Sequence, residues 1–324
     1  MKKVLLLLLF PFFILSCTND SSITNEHEDI ENEDIDDDDI DDDDMLTLRH
    51  ITSVQSFSHL DYTRQTKKWY RASGQPALFE RFLDNSSTDV YNTDKLFYNS
   101  NGTLDSTYSP GLEYLYSKYE YEDNRINIIN YDSGSGIGVS SYYVEYNANT
   151  ITVRAGNITS GSLITYTFSD ENYDLLIREE RLNSPLTNIY PHLIIEYEYD
   201  SNSNRTSKIY KLLNHTSLEH YVYYTETFTY DDKLNPYKNI STTDPVILHN
   251  FIGMTSEIQF DDKISPNNII SSTLTNSGGS NISTYEYEYN ELNYPTSLIK
   301  TEVRYNNDGE EEMTITTTET FTYF

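Results

Sequence analysis

From Leu46 to the C-terminus, aromatic and β-branched residues recur at every second position, in runs broken by Asp, Asn, Gly or Pro. Side chains on an extended chain point alternately to its two faces, so such runs read as strands with one buried side. Tyr285-Glu286-Tyr287-Glu288-Tyr289 sets three tyrosines against two carboxylates, and Tyr119 to Glu122 and Tyr197 to Tyr199 repeat the arrangement. Past a turn at Asn290 to Pro295, Ile299, Thr301, Val303 and Tyr305 alternate with Lys300, Glu302 and Arg304. The expected hairpin puts these bases beside the Glu286 and Glu288 carboxylates, with the Tyr and Ile faces buried together. Apolar residues at helical spacing are almost absent, and Thr, Ile and Val join Tyr in the runs. The pattern predicts an all-β domain.

The runs and their turns form a recurring phrase. Its clearest copies are Phe228 to Pro236 and Phe260 to Pro266, whose Asp-Asp-Lys triplets begin at Asp231 and Asp261. Looser copies start at Tyr70, Tyr98, Tyr146, Phe168, Tyr199, Tyr289 and Tyr305. Asn, Asp and Gly tolerate the positive φ of tight turns, and Pro cannot continue a central ladder, so each copy predicts a β-hairpin. Hairpins adjacent in sequence tend to pair in space. The expected architecture is an antiparallel meander forming a curled, barrel-like sheet, with a β-sandwich as the alternative.

The Tyr-Asp or Tyr-Asn turn followed by Gly, Asn-Pro or Leu resembles the YD repeat of Rhs-type proteins. The run Asp231 to Ile240 resembles that of uncharacterised Bacteroidetes-type lipoproteins. Rhs proteins wind such repeats into a shell around a toxic cargo. Residues 46–324 are too short for that shell and carry no appended toxin domain, so the resemblance implies a fold rather than an activity.

The first 45 residues differ in kind. Lys2 and Lys3 precede an apolar stretch, Val4 to Leu15, that is too short to span a bilayer as a helix. It reads as a signal peptide over residues 1–16. Ile14-Leu15-Ser16-Cys17 resembles the bacterial lipobox, which implies that Cys17 becomes the acylated N-terminus. Thr18 follows in place of the Asp that retains enteric-type lipoproteins at the inner membrane, implying an outer-membrane address. Residues 17–45 read as a disordered acidic tether: Asp20 to Asp44 holds 15 acidic residues and no Lys or Arg, and reaches at most about 90 Å. An acidic run after the lipidated cysteine resembles the surface-export signal of Bacteroidetes-type lipoproteins, implying a body that faces the cell exterior.

Charge and composition then exclude several functions. The formal charge is −30, and the body keeps 37 acidic against 20 basic side chains, which excludes nucleic acid as a partner. Cys17 is the only cysteine, so intrachain disulfides and thiolate metal clusters are excluded as well. Asp200 to Asn204 starts like a calcium loop, but Arg205 stands where that loop needs Gly, so a turn is expected. His215 and His220 fall on opposite faces of one strand, and His192 has no neighbour in sequence to share a metal. No cofactor site and no catalytic residue emerges. Gly134 to Gly138 fits neither a nucleophile elbow nor a phosphate loop. Asp105-Ser106-Thr107 resembles a short O-glycosylation acceptor of Bacteroidetes-type secreted proteins.

Trp69 with Tyr70 is the one candidate ligand contact, because Trp69 is the single tryptophan. The tyrosine stripes are expected to pack a sheet rather than to display a stacking platform. The expected function is a lipid-anchored binding or scaffold module, with a glycan or an envelope protein as partner. A glycan hydrolase using a carboxylate pair, or a structural subunit of an envelope complex, is the alternative.

Overall fold

The computed structural model describes residues 48–58, 60–82, 90–109, 115–132, 140–156, 163–182, 191–239 and 265–324. Cys17, the acidic tether, the Gly134 to Gly138 stretch and residues 260–264 of the Phe260 copy of the repeat lie outside them. The described residues form eighteen strands. The first nine are β1 (Leu48–Phe57), β2 (Leu60–Tyr70), β3 (Pro76–Phe82), β4 (Val90–Tyr98), β5 (Leu104–Ser109), β6 (Leu115–Glu122), β7 (Arg125–Asp132), β8 (Ser140–Asn147) and β9 (Thr150–Ala155). The rest are β10 (Leu163–Phe168), β11 (Leu176–Leu182), β12 (Leu193–Tyr199), β13 (Arg205–Leu213), β14 (His220–Leu234), β15 (Asn267–Asn276), β16 (Gly279–Tyr289), β17 (Pro295–Tyr305) and β18 (Glu311–Tyr323).

Every strand pairs antiparallel with its neighbours in sequence, and β1 pairs with β18 from Leu48↔Tyr323 to Phe57↔Ile315. That last ladder closes the meander into a barrel, so no strand edge is left to template a foreign chain. The expected curled sheet is thus a complete cylinder, and the sandwich alternative falls.

Register carries one face continuously around it. Phe321 lies opposite Ile51, Tyr119 opposite Ile129, Val144 opposite Val153, Ile151 opposite Tyr166 and Glu179 opposite Ile195. These residues are all buried, and most belong to one contiguous cluster with Phe79, Leu96, Phe168 and Leu298. This is the inner face, and each large apolar side chain buried there contributes roughly 1.5–3 kcal/mol.

The outer face carries many charged side chains, although the buried Ile194 and Phe82 also stand on it. Glu80 and Lys67 pair across β3 and β2, Asn130 donates to Glu120 between β7 and β6 at 2.6 Å, and Glu145 opposes Thr152. Arg178 reaches Glu180 at 2.7 Å and Glu196 at 2.9 Å, and Lys211 reaches Glu196 at 2.5 Å, lacing β11, β12 and β13 together. Phe97, Tyr143, Ile282 and Ile299 are exposed among them, and Tyr221, Val222 and Tyr223 are exposed in succession on β14. A membrane-spanning barrel has the opposite arrangement, an apolar exterior around a polar lumen, and each cation at its lipid midplane costs about 2–4 kcal/mol.

The recurring phrase has a structural counterpart. Tyr98, Tyr121, Tyr199, Tyr230 and Tyr323 each donate a phenol hydrogen bond to the carbonyl that opens the preceding strand, at Pro76, Leu104, Leu176, Arg205 and Pro295, over 2.6 to 2.8 Å. The Asx residue after the tyrosine builds the turn. Asp200 Oδ1 accepts from the N–H groups of Asn202 and Asn204, Asn290 Oδ1 from Leu292 and Tyr294, and Asn306 Oδ1 from Asp308 and Glu310. The fourth turn residue is left-handed: Ser203 at φ 66°, Asn293 at φ 63° and Gly309 at φ 78°. Asp200 is therefore a turn residue, as its spacing with Arg205 predicts.

Candidate functional site

The phrase at Phe228 to Pro236 departs from the hairpin expected of it. Strand β14 runs on through Leu234 and enters a short 3₁₀ turn, Pro236–Asn239, while β15 starts only at Asn267. Tyr230 still makes the repeat's bond to Arg205, and Asp231 Oδ1 still accepts two N–H groups, but from Lys233 and from Asn268, 37 residues on. The segment between them is an insertion into one repeat turn. Its two ends are fastened where they meet: Asn235 donates through its backbone to Pro266 at 3.0 Å and through its amide to Ser265 at 2.7 Å. Asn235, Ser265 and Asn268 are buried, so these bonds replace the water that the opened turn would otherwise need.

The insertion sends Tyr237 back over the inner face. Its N–H is capped by Asn235 Oδ1 at 3.0 Å, its ring meets Phe321 edge-on at 6.3 Å, and its hydroxyl lies 3.5 Å from Glu319. Below it is a cavity of about 290 Å³, lined by Tyr237, Tyr285, Tyr287, Lys300, Glu319 and Asn268 among others.

Tyr285 and Tyr287 enter this cavity because the register sets them across from Lys300 and Leu298. The hairpin expected from sequence is corrected here. A bulge at Glu288/Tyr289 shifts the pairing by one residue, so Glu286 opposes the exposed Ile299 and the bases lie on the tyrosine face. Inside, Lys300 meets Glu302 at 3.2 Å and Arg304 meets it at 2.9 Å. Burial opposes the Lys300 charge, but Tyr285 and Glu302 outweigh it and hold the ammonium above the ordinary lysine range. Glu302 is held below the ordinary glutamate range: burial opposes this, and Lys300 with Arg304 prevails. Burial, then the Glu319 carboxylate, raises the phenols of Tyr237 and Tyr287, which stay protonated donors at neutral pH.

The residues singled out from sequence lie elsewhere. Tyr70 is buried, with its ring edge-on to Phe79 at 6.4 Å, and so belongs to the core rather than to a ligand. Trp69 points to the outer face, half-buried, with its ring 5.0 Å from that of His50. Adjacent strand residues face opposite ways, so the two form no common site. Ser106 and Thr107 are buried within β5, which removes the expected O-glycosylation acceptor from reach. His192 is not isolated: its carbonyl accepts from Leu213, His215 lies close enough to act on its charge, and His220 bonds the Pro191 carbonyl at 2.7 Å. No group of three His, Cys, Asp or Glu suited to a metal occurs among the described residues. The cavity itself was missed because its residues come from an insertion and a shifted register. The one sequence signal was the departure of Asp231 to Asn239 from the Gly or Asn turn of the other copies.

No family model and no curated protein matches the chain. Among solved structures, a porin-like protein from Bacteroides uniformis ATCC 8492 is similar at 13% identity and TM-score 0.46, over 86% of this chain and 98% of that one. A porin-like protein from Bacteroides vulgatus ATCC 8482 is similar at 9% identity and TM-score 0.34, over 86% and 99% respectively.

Proposed function

We propose that this protein is a lipid-anchored, surface-displayed outer-membrane lipoprotein that presents a filled, water-facing barrel of YD-type repeats as a binding module. The observation that carries this reading is the distribution of charge on the barrel. Glu80, Glu120, Glu145, Arg178, Glu196 and Glu286 face outward on different strands, while Tyr, Ile and Phe occupy most of the inside and the inner ionised groups Lys300, Glu302 and Arg304 are paired with one another. Such a surface suits water, so attachment to a membrane falls to another part of the chain. Cys17 supplies it: buried acyl chains add about 0.8 kcal/mol per methylene, and a multiply acylated terminus holds durably. The acidic residues up to Asp44 carry like charges that repel one another. A binding role is supported by the cavity beneath Tyr237, where rings, an ammonium and a carboxylate converge.

Fractionation of cells expressing the full chain tests the anchor. The wild-type protein is expected in the outer-membrane fraction and Cys17→Ala in the soluble fraction; retention of Cys17→Ala in the membrane would refute lipidation. Deleting Asp36 to Asp44 is expected to reduce protease access to the barrel on intact cells, and unchanged access would remove the export role of the acidic run.

A further inference from the structure

We propose that the cavity beneath Tyr237 binds a neutral saccharide, its rings seated on Tyr285 and Tyr287 and its hydroxyls bonded to Glu319 and Lys300. This rests on reading the barrel as a binding module and names the ligand class.

The charges of the site decide between ligand classes. Glu319 and Lys300 line the same small space. A cationic ligand drawn to Glu319 meets the Lys300 ammonium. An anionic one drawn to Lys300 meets Glu319 and the Glu302 carboxylate that already holds that ammonium at 3.2 Å. A neutral ligand carrying both donors and acceptors satisfies the two together. Glu319 has capacity for it, since among the described residues its one hydrogen bond is the long 3.5 Å contact from Tyr237. A carboxylate offers about four lone-pair positions, and Lys300 has three N–H donors of which Glu302 takes one.

The apolar surface fits the same class. Tyr285 and Tyr287 alternate with outward-facing Glu286, so both rings project from one strand into the cavity, where Phe321 and the Tyr237 ring complete the wall. Flat aromatic faces with hydroxyl rims match the C–H faces and hydroxyl edges of a pyranose. Tyr287 remains protonated and can donate to a sugar oxygen. At about 290 Å³ the space is near the small end of ligand pockets and holds roughly one or two sugar rings.

The test is calorimetric titration of the detergent-solubilised full-length protein with neutral, cationic and anionic disaccharides. The neutral set is maltose, cellobiose, mannobiose, galactobiose and N,N′-diacetylchitobiose; the cationic probe is deacetylated chitobiose and the anionic probe digalacturonate. At least one neutral disaccharide is expected to bind, with Glu319→Gln and Tyr287→Leu each weakening it at least tenfold and the outer-face Tyr143→Leu leaving it unchanged. Circular dichroism melting monitors folding. If Tyr287→Leu does not fold, the nearly isosteric Glu319→Gln decides alone. Silence across the neutral set, tighter binding of either charged probe, or wild-type affinity in Glu319→Gln would overturn the proposal. The Cys17→Ala fractionation is independent, so a failed titration beside successful release removes the saccharide and leaves the anchored barrel standing.

Discussion

Lys300 lies across the β16–β17 ladder from Tyr285, inside the barrel, its ammonium 5.6 Å from the centre of the tyrosine ring. The charge is held there by Glu302, which Arg304 also grips, so three ionised groups share the inner face of one strand. Removing one member of such a group strands the others, and this makes the cluster sensitive to acid.

Glu302 sets the direction of that sensitivity. Its folded-state pKa is below the ordinary glutamate value, so the unfolded chain binds the proton more readily than the native one. Its stabilisation is complete above the unfolded value, about 4.3, and is lost as pH falls below that toward the folded value. Melting temperature measured from pH 7 to pH 3 is expected to fall more steeply over the acid range in wild type than in Glu302→Gln. Parallel curves would show that the cluster contributes nothing to acid stability.

The repeated phenol bonds should each be measurable. Tyr98→Phe and Tyr230→Phe remove the hydroxyls that bond Pro76 at 2.7 Å and Arg205 at 2.6 Å, leaving strand-opening carbonyls short of a donor. Each is expected to cost about 1–2 kcal/mol in urea unfolding. The double variant should be close to additive, because the ties lie on separate hairpins. Tyr143→Phe, on an exposed residue, is expected to stay within about 0.5 kcal/mol of wild type.

Turn chemistry separates shape from charge. Asp200 accepts two backbone N–H groups through Oδ1, as Asn290 and Asn306 do with an amide, and a third bond, from the Asn204 amide, through Oδ2 at 3.1 Å. Asp200→Asn keeps the two backbone bonds and loses the one at Oδ2, so it is expected to lose less stability than Asp200→Ala, which loses all three. Equal losses would mean that the carboxylate charge, rather than the acceptor geometry, holds the turn.

The polar exterior yields a solubility test. Thr318 and Thr320 alternate with the inward Thr317, Glu319 and Phe321, so lysine at either position meets water. Thr318→Lys and Thr320→Lys are expected to change stability by less than about 0.5 kcal/mol and to leave a Cys17→Ala background soluble without detergent. A loss of several kcal/mol at these sites would mean that this face is covered.

The Asx positions and the tyrosines before them were legible in the chain because their roles are local. Asp200 bonds residues two and four places on, and the sign of φ at Ser203 is set within one turn. Period-two alternation likewise identified strands, since it follows from the geometry of an extended backbone alone. Lys300 was assigned to the wrong side for the complementary reason. A single bulge at Tyr289 moves a whole strand by one place, and alternation looks the same in either register.

The amino-acid sequence by itself determined that this chain is a run of antiparallel hairpins joined by Asx turns, because both properties arise between residues a few positions apart. Only the tertiary structure decided that β1 meets β18, that one buried apolar cluster lines the inside of the closed sheet, that Lys300, Glu302 and Arg304 share that inner face, and that Tyr237 closes over Glu319. Those contacts join residues as much as 275 positions apart, from Leu48 to Tyr323, and depend on how twist and bulges add up over eighteen strands. No local pattern encodes such a sum.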